Sequence, residues 1–269
     1  MADDASPVLS QRDGAVLTLT LNRPQALNSF TGALHDALMS ALKAAAGDAS
    51  VRCVVLTGAG RGFCAGQDLS DPAIAPDLTP GAAPKDIGNL IEARYKPLAL
   101  QICDFPVPVV AAVNGVAAGA GANLALNCDI VLAARSASFI QAFCRIGLVP
   151  DSGGTFFLPR LVGMARATSL AMLADRLPAQ RALEWGMIYD VVPSGVLLDT
   201  ATDLARQLAT QPTRGLGLIK RALNASWEND LARQLALEEE LQREAGRTAD
   251  YLEGVRAFQQ KRAPVFLGR

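Results

Sequence analysis

The chain has 269 residues, 50 % hydrophobic and 19 % charged, with a formal net charge of −1, which is the composition of a folded protein with a large core. So even a charge balance gives no electrostatic reason to expect nucleic acid or an anionic membrane as partner, and any anionic ligand has to be met locally. The single histidine, His35, argues against Ser-His-Asp hydrolysis and against multi-histidine metal centres. Five scattered cysteines without a C-x-x-C pair suggest neither a disulfide framework nor a zinc site and read as reduced, packed thiols.

Met1-Ala2-Asp3-Asp4 opens with acids and lacks the basic and apolar regions of a secretory signal. The longest apolar stretch, 107–113, falls far short of the ~20 residues of a membrane helix, so the expected location is cytoplasmic. Residues 15–21 alternate like a half-buried strand ended by Arg23-Pro24. The pattern of 34–46 is an amphipathic helix stopped by Gly47, with His35 on the flank of its apolar stripe as a solvated or hydrogen-bonded residue. Buried strands are expected at 51–56 and 107–113 and a further short strand at 130–133, and the small-residue run 116–122 is expected to continue as helix. Prolines 72, 76, 80 and 84 interrupt every periodicity in 71–88, as in a loop or lid over a site.

Alternating strands and helices indicate an α/β layer architecture. From about residue 200 only helical patterns remain, at 203–209, 215–224 and 231–257. The expected organisation is therefore a core over 1–199 and a helical region over 200–269 that packs on the core or on another subunit.

Three glycine-bearing segments follow buried strands. In Gly62-Phe63-Cys64-Ala65-Gly66-Gln67-Asp68-Leu69, small Ala65 and Gly66 permit close approach of a ligand to the backbone. In the run from Asn114 to Leu124, a loop opens a helix and leaves N–H groups unpaired, which suits a developing negative charge. That run also reads as tight packing or as a dinucleotide fingerprint, although Leu124 stands where the third glycine of the fingerprint belongs. Two such loops facing each other would form an oxyanion hole for a thioester enolate from backbone donors alone. In the third segment, Gly147-Leu148-Val149-Pro150-Asp151-Ser152-Gly153-Gly154-Thr155, Asp151 reads locally as a turn or N-cap residue. With Leu148, Val149, Phe156 and Phe157 as an apolar wall, it also reads as a carboxylate tuned for proton transfer.

Several segments together resemble the crotonase (enoyl-CoA hydratase/isomerase) superfamily, in order and at its spacing. They are Arg23-Pro24-x-Ala26-Leu27-Asn28, Phe63-Cys64-Ala65-Gly66-x-Asp68-Leu69, Asn114-Gly115-x-Ala117-x-Gly119-x-Gly121, Cys128-Asp129-Ile130 and Gly147-x-x-Pro150-x-x-Gly153-Gly154-Thr155. Gly163-x-x-x-Ala167, Ala182-x-x-x-Gly186 and the ending Phe258-x-x-Lys261-Arg262-x-Pro264-x-Phe266 continue the likeness over nearly the whole chain.

The resemblance implies a crotonase-like spiral of ββα units with a C-terminal helical trimerisation region, assembled as a homotrimer or as a hexamer (a dimer of trimers). Coenzyme A enters as part of an acyl-CoA thioester substrate, with no separate cofactor and no metal. The thioester would bend between the turn bearing Arg23, Gln25, Ala26 and Leu27 and the loop Ala65, Gly66, Gln67, Asp68, Leu69. Oxyanion donors fall on the backbone N–H groups of Gln67 and Ala120, with Asn123 beside the substrate. Phe258 and Lys261 match tail positions near the nucleotide end of CoA, often from a neighbouring subunit.

The two glutamates of hydratases are replaced here by Asn123 and Phe143, neither of which exchanges a proton at neutral pH. Asp151 falls where several isomerases carry their acid. Within the superfamily, 114–129 and 148–154 are most similar to the ring-1,2-epoxyphenylacetyl-CoA isomerases of phenylacetate catabolism. Those enzymes convert the ring epoxide to the oxepin form and shift double bonds between positions 3 and 2 of enoyl-CoA. Isomerase is thus the first reading, hydratase (lyase) the alternative in the same superfamily, and a non-catalytic acyl-CoA binding protein the alternative from another class. A nicotinamide oxidoreductase would instead change NAD(P)H absorbance.

Overall fold

The computed structural model describes residues 6–72 and 74–269; the acidic residues at the N-terminus lie outside the described residues. The strands in chain order are β1 (Val8–Asp13), β2 (Val16–Leu21), β3 (Cys53–Gly58), β4 (Gly62–Cys64), β5 (Val109–Val113), β6 (Val116–Ala118), β7 (Ile130–Ala134), β8 (Ser138–Ile140), β9 (Leu177–Pro178) and β10 (Asp190–Val192). The α-helices are α1 (Gly32–Gly47), α2 (Ile87–Leu90), α3 (Lys96–Cys103), α4 (Ala120–Leu126), α5 (Gly154–Val162), α6 (Met164–Leu173), α7 (Ala179–Glu184), α8 (Leu197–Ala209), α9 (Thr213–Ala225), α10 (Leu231–Ala245) and α11 (Ala249–Gln259).

One sheet has the order β1-β2-β3-β5-β7-β10, and the other has the order β4-β6-β8-β9. In the large sheet β1 is antiparallel to β2 and every later pairing is parallel. Three successive units place one strand in each sheet and then a helix: β3, β4 and the α2–α3 region; β5, β6 and α4; β7, β8 and the helices that follow. This is the expected ββα spiral. All six residues of β3 are buried, which is why Cys-Val-Val-Leu-Thr-Gly lacks polar alternation, as strands covered on both faces do.

Some expectations need correction. The run 116–122 is not one helix: Val116–Ala118 forms β6, which pairs in register with β8 and, with an irregularity between Gly62 and Cys64, with β4, and the helix starts only at Ala120. His35 is neither solvated nor hydrogen-bonded. It is 1 % exposed, stacks on Phe30 at 4.4 Å and meets Tyr95 edge-on at 4.5 Å, with no hydrogen-bond partner for either ring nitrogen among the described residues. The buried face of α1 is wider than the Leu34, Leu38, Leu42 stripe and takes in the adjacent position.

The helical pattern over 231–257 is two helices, because Gly246 ends α10 and the Thr248 hydroxyl accepts from Tyr251 N to cap α11. A division at residue 200 falls inside α8, whose Ala201, Ala205 and Ala209 are buried as it packs across β2, β3, β5 and β7. The later helices are pinned by buried polar groups. Lys220 donates to Ile102 O at 2.7 Å and to Asp129 at 2.9 Å, and Arg52 reaches Thr213, Gln211 O and Phe266 O.

Candidate active site

The turn at 23–28 is fixed by its own side chains. Leu27 and Asn28 both adopt left-handed backbone (φ 49° and 58°). The strain is offset by buried Asn28, which accepts from Arg23 N at 2.8 Å and donates to Ala59 O and Gly62 O. Arg23 donates to Ser29 O and pairs with Asp68 at 3.0 Å, joining this turn to the loop 65–69. Ala65 N donates to Leu27 O, Phe30 N to Gly66 O and Asp68 N to Phe30 O, so the two segments run side by side as a short β-bridge. Arg23 and Asp68 are thereby engaged in joining the loops, while Gln25 and Leu69 stand exposed at the rim and Ala26, Leu27 and Ala65 are half-buried between them.

Gly66 brings this loop against the start of α4. At φ +87°, an added Cβ would lie 2.8 Å from Ala118 O and 3.4 Å from Ala120 N, so only glycine lets the two backbones approach this closely. The N–H groups of Gln67 and Ala120, brought together by this approach, donate to no protein acceptor among the described residues. Phe143 roofs the loop: its ring would be 3.7 Å from a Cβ on Gly119, and it is buried.

Asp151 stands in the segment between a 3₁₀ turn at 142–146 and α5, partly buried, with Oδ1 accepting from Ser152 Oγ at 2.8 Å. Burial raises its carboxyl pKa above the ordinary 3.8, more than the Ser152 hydroxyl lowers it. The apolar wall expected from Leu148 and Val149 does not form within the chain, since Val149 is 77 % exposed. Ser152 borders a small cavity with Phe30, Tyr95, Ala120, Leu124 and Asn127, and Tyr95 lies close enough for Asp151 to help raise its phenol pKa.

The backbone of the acid is held by α4. Asn123 Nδ2 donates to Asp151 O at 2.8 Å and, one turn on, Asn127 Nδ2 donates to Ser152 O at 3.2 Å. Asn123 is fully buried and its Oδ1 accepts from Gln141, so its amide is engaged in the scaffold. Glu92, which follows the proline-rich segment 71–88, is exposed and pairs with Lys96. Phe258 is 85 % exposed on a groove formed only by residues from 212 onward, and Lys261 is exposed in the turn after α11. Within one chain the structure therefore brings together the loops at 23–28, 65–69 and 119–123 with Asp151, but not the two tail residues.

Sequence reasoning missed Tyr95, Phe30 and Asn127. The i, i+4 spacing of Asn123 and Asn127 was the available signal for the last. Among the described residues, no helix is long and apolar enough to cross a membrane, and no group of three or more His, Cys, Asp or Glu is placed to hold a metal ion.

The family model described as enoyl-CoA hydratase/isomerase matches residues 11–269. The chain is 56 % identical, over 97 % of its length and 98 % of the relative's, to the 1,2-epoxyphenylacetyl-CoA isomerase of Escherichia coli K12. It is 38 % identical, over 98 % of its length and all of the relative's, to the 2,3-dehydroadipyl-CoA hydratase of the same organism. The crystal structure of an enoyl-CoA hydratase from Bacillus anthracis superposes with a TM-score of 0.90 at 33 % identity, covering 98 % of this chain and 100 % of that one. With the ββα spiral and the paired glycine loops, these matches establish that the chain belongs to the enoyl-CoA hydratase/isomerase family.

Proposed function

We propose that this protein is an acyl-CoA isomerase that acts through a thioester enolate, on ring-1,2-epoxyphenylacetyl-CoA, on 3-enoyl-CoA, or on both. The observation that carries the reading is the partly buried carboxylate of Asp151, whose backbone is bonded to Asn123 in the helix that Ala120 opens, together with the unpaired N–H groups of Gln67 and Ala120, and with Asn123 and Phe143 at the two positions where hydratases carry glutamate. In the double-bond shift, Asp151 takes a proton from C2 of a 3-enoyl thioester. The electron pair moves onto the thioester oxygen, which accepts from Gln67 N–H and Ala120 N–H. The protonated Asp151 then returns the proton to C4 as the enolate collapses to the 2-enoyl product. No water enters, so a second acid to activate one is not needed. A raised Asp151 pKa makes the carboxylate a stronger base for this step, and the buried Phe143 keeps water from the loop. The relative from Escherichia coli that is 56 % identical bears the corresponding isomerase name.

The hydratase reading is favoured only by hydratase names among the relatives, such as the 2,3-dehydroadipyl-CoA hydratase. The test is Asp151→Asn, assayed on 3-enoyl-CoA and on the phenylacetyl-derived epoxide. Isomerisation should fall at least ~10²-fold while the thioester still binds. Near-full turnover would return Asp151 to the role of a turn residue. Hydration of 2-enoyl-CoA at a comparable rate would favour the alternative.

The protein is further proposed to act in the cytoplasm as a homotrimer or dimer of trimers, with the helices beyond about residue 200 at the subunit contacts and Phe258 and Lys261 at a neighbour's CoA. Exposed Leu231, Leu235, Leu252 and Phe258 on α10 and α11 support this. Light scattering at micromolar concentration should give three or six subunits; a monomer would refute it.

A further inference from the structure

We propose that Tyr95 is a positioning residue that aims the Gln67 N–H at the substrate oxyanion, through a hydrogen bond from its hydroxyl to the Gln67 side chain. The inference rests on the oxyanion reading of Gln67 and Ala120. Tyr95 OH donates to Gln67 Oε1 at 2.6 Å, while Gln67 Nε2 reaches back to Asp68 O at 3.4 Å. Since Asp68 N donates to Phe30 O, the 66–68 backbone is held along one edge by the Phe30 bridge, and the tyrosine fixes the Gln67 side chain, whose amide closes onto Asp68 O.

Tyr95 itself has little freedom. It is 2 % exposed and packs edge-on against both Phe30, at 5.7 Å, and His35, at 4.5 Å. It ends a π-helical turn, Ile91–Tyr95, that joins α2 to α3. A π-turn gains one residue over an α-turn and re-aims the side chains around it, and such turns are found often at functional sites. Here the residue at its end is a phenol that lines the small cavity shared with Ala120 and Ser152. Burial raises the phenol pKa well above its ordinary 10, so the hydroxyl remains a proton donor through the working pH range. An oxyanion donor is useful only when held in place before the charge develops, and a peptide unit anchored at one edge alone would rock.

The experiment compares Tyr95→Phe, Gln67→Met and the double variant. Phe keeps the ring in its aromatic packing and Met keeps the length of Gln67 without its acceptor, while the backbone N–H remains in each. Each single change should lower kcat for the double-bond shift on the order of tenfold, as expected for one buried hydrogen bond, with KM within about twofold. The double variant should be no worse than either single one, because both remove the same bond. A p-dimethylaminocinnamoyl-CoA probe, whose absorption moves to the red when its carbonyl is polarised, should shift on binding the parent enzyme and shift less on both single variants.

An unchanged shift and kcat in Tyr95→Phe would overturn the proposal, as would additive losses in the double variant. Should Tyr95→Phe fail to fold, Gln67→Met decides alone: an unchanged shift and kcat there would equally overturn it. If the parent enzyme binds the probe with no red shift, the oxyanion reading itself falls and takes this inference with it. A shift in the parent that survives in both variants removes only the role of Tyr95.

Discussion

Replacing His35 by Phe should flatten the pH dependence of stability between pH 5 and 7.5. Burial is the main force that lowers the His35 pKa from 6.5 to about 4; the nearby Arg94 adds to it, and Asp36 and Asp71 oppose it. Between those values the unfolded chain binds a proton that the folded chain refuses, so stability is fully present above pH 6.5 and declines as pH falls toward 4. The full gap, at about 1.4 kcal/mol per pH unit, is worth about 3 kcal/mol, of which about 2 kcal/mol has been lost by pH 5. Since the chain has one histidine, no other imidazole obscures the effect. Phe retains a ring against Phe30 and Tyr95, and any overpacking offsets both pH values alike. Urea unfolding at pH 5 and 7.5 and at fixed protein concentration measures it. The parent should lose about 2 kcal/mol more than the variant on acidification. Parallel behaviour of the two proteins would mean that His35 is protonated in the fold or already shielded in the unfolded chain.

Gly66→Ala places a Cβ 2.8 Å from Ala118 O at a φ of +87°, so it should cost about 1–3 kcal/mol in thermal unfolding and lower kcat more than it raises KM; a parent-like kcat would show that the loops tolerate separation. Lys261→Ala should raise the apparent KM for CoA thioesters with little change in kcat, more at low salt than at high; an unchanged KM at low salt would remove Lys261 from the CoA site.

The fold class was legible because strands such as β3 and β5 are buried throughout, whereas β1, Val-Leu-Ser-Gln-Arg-Asp, as long as β3, is exposed at five of its six residues and was not foreseen; the ββα spiral itself came from the family resemblance. Strands β4, β8 and β9, two or three residues each, carry no readable period and exist through their neighbours. The candidate site was legible where a backbone requirement demands glycine or asparagine, as at Gly66 and Asn28. It was illegible where side chains from distant segments meet. Tyr95 stands in an ordinary helical pattern, and nothing local announces the π-turn that directs it at Gln67, 28 positions earlier. His35 was misplaced because helical periodicity names the centre of a buried face better than its edge, and Phe30 and Tyr95 extend that edge.

The two departures from the hydratase pattern form one arrangement with the acid that remains. Asn123 offers a donor to Asp151 O and an acceptor to Gln141, and it fills the space that a side chain at position 154 would need: a Cβ there would lie 2.3 Å from Asn123 Nδ2. A glutamate at 123 would set carboxylate oxygens against the Asp151 carbonyl and lose that donor. An acid at 143 would replace the ring over Gly119 with a charge and its water. The residues that anchor the Asp151 carbonyl and cover Gly119 are therefore ones that cannot serve as hydratase acids. Glutamates at 123 and 143 would disturb the setting of Asp151, the proton carrier proposed above, before either supplied a second acid.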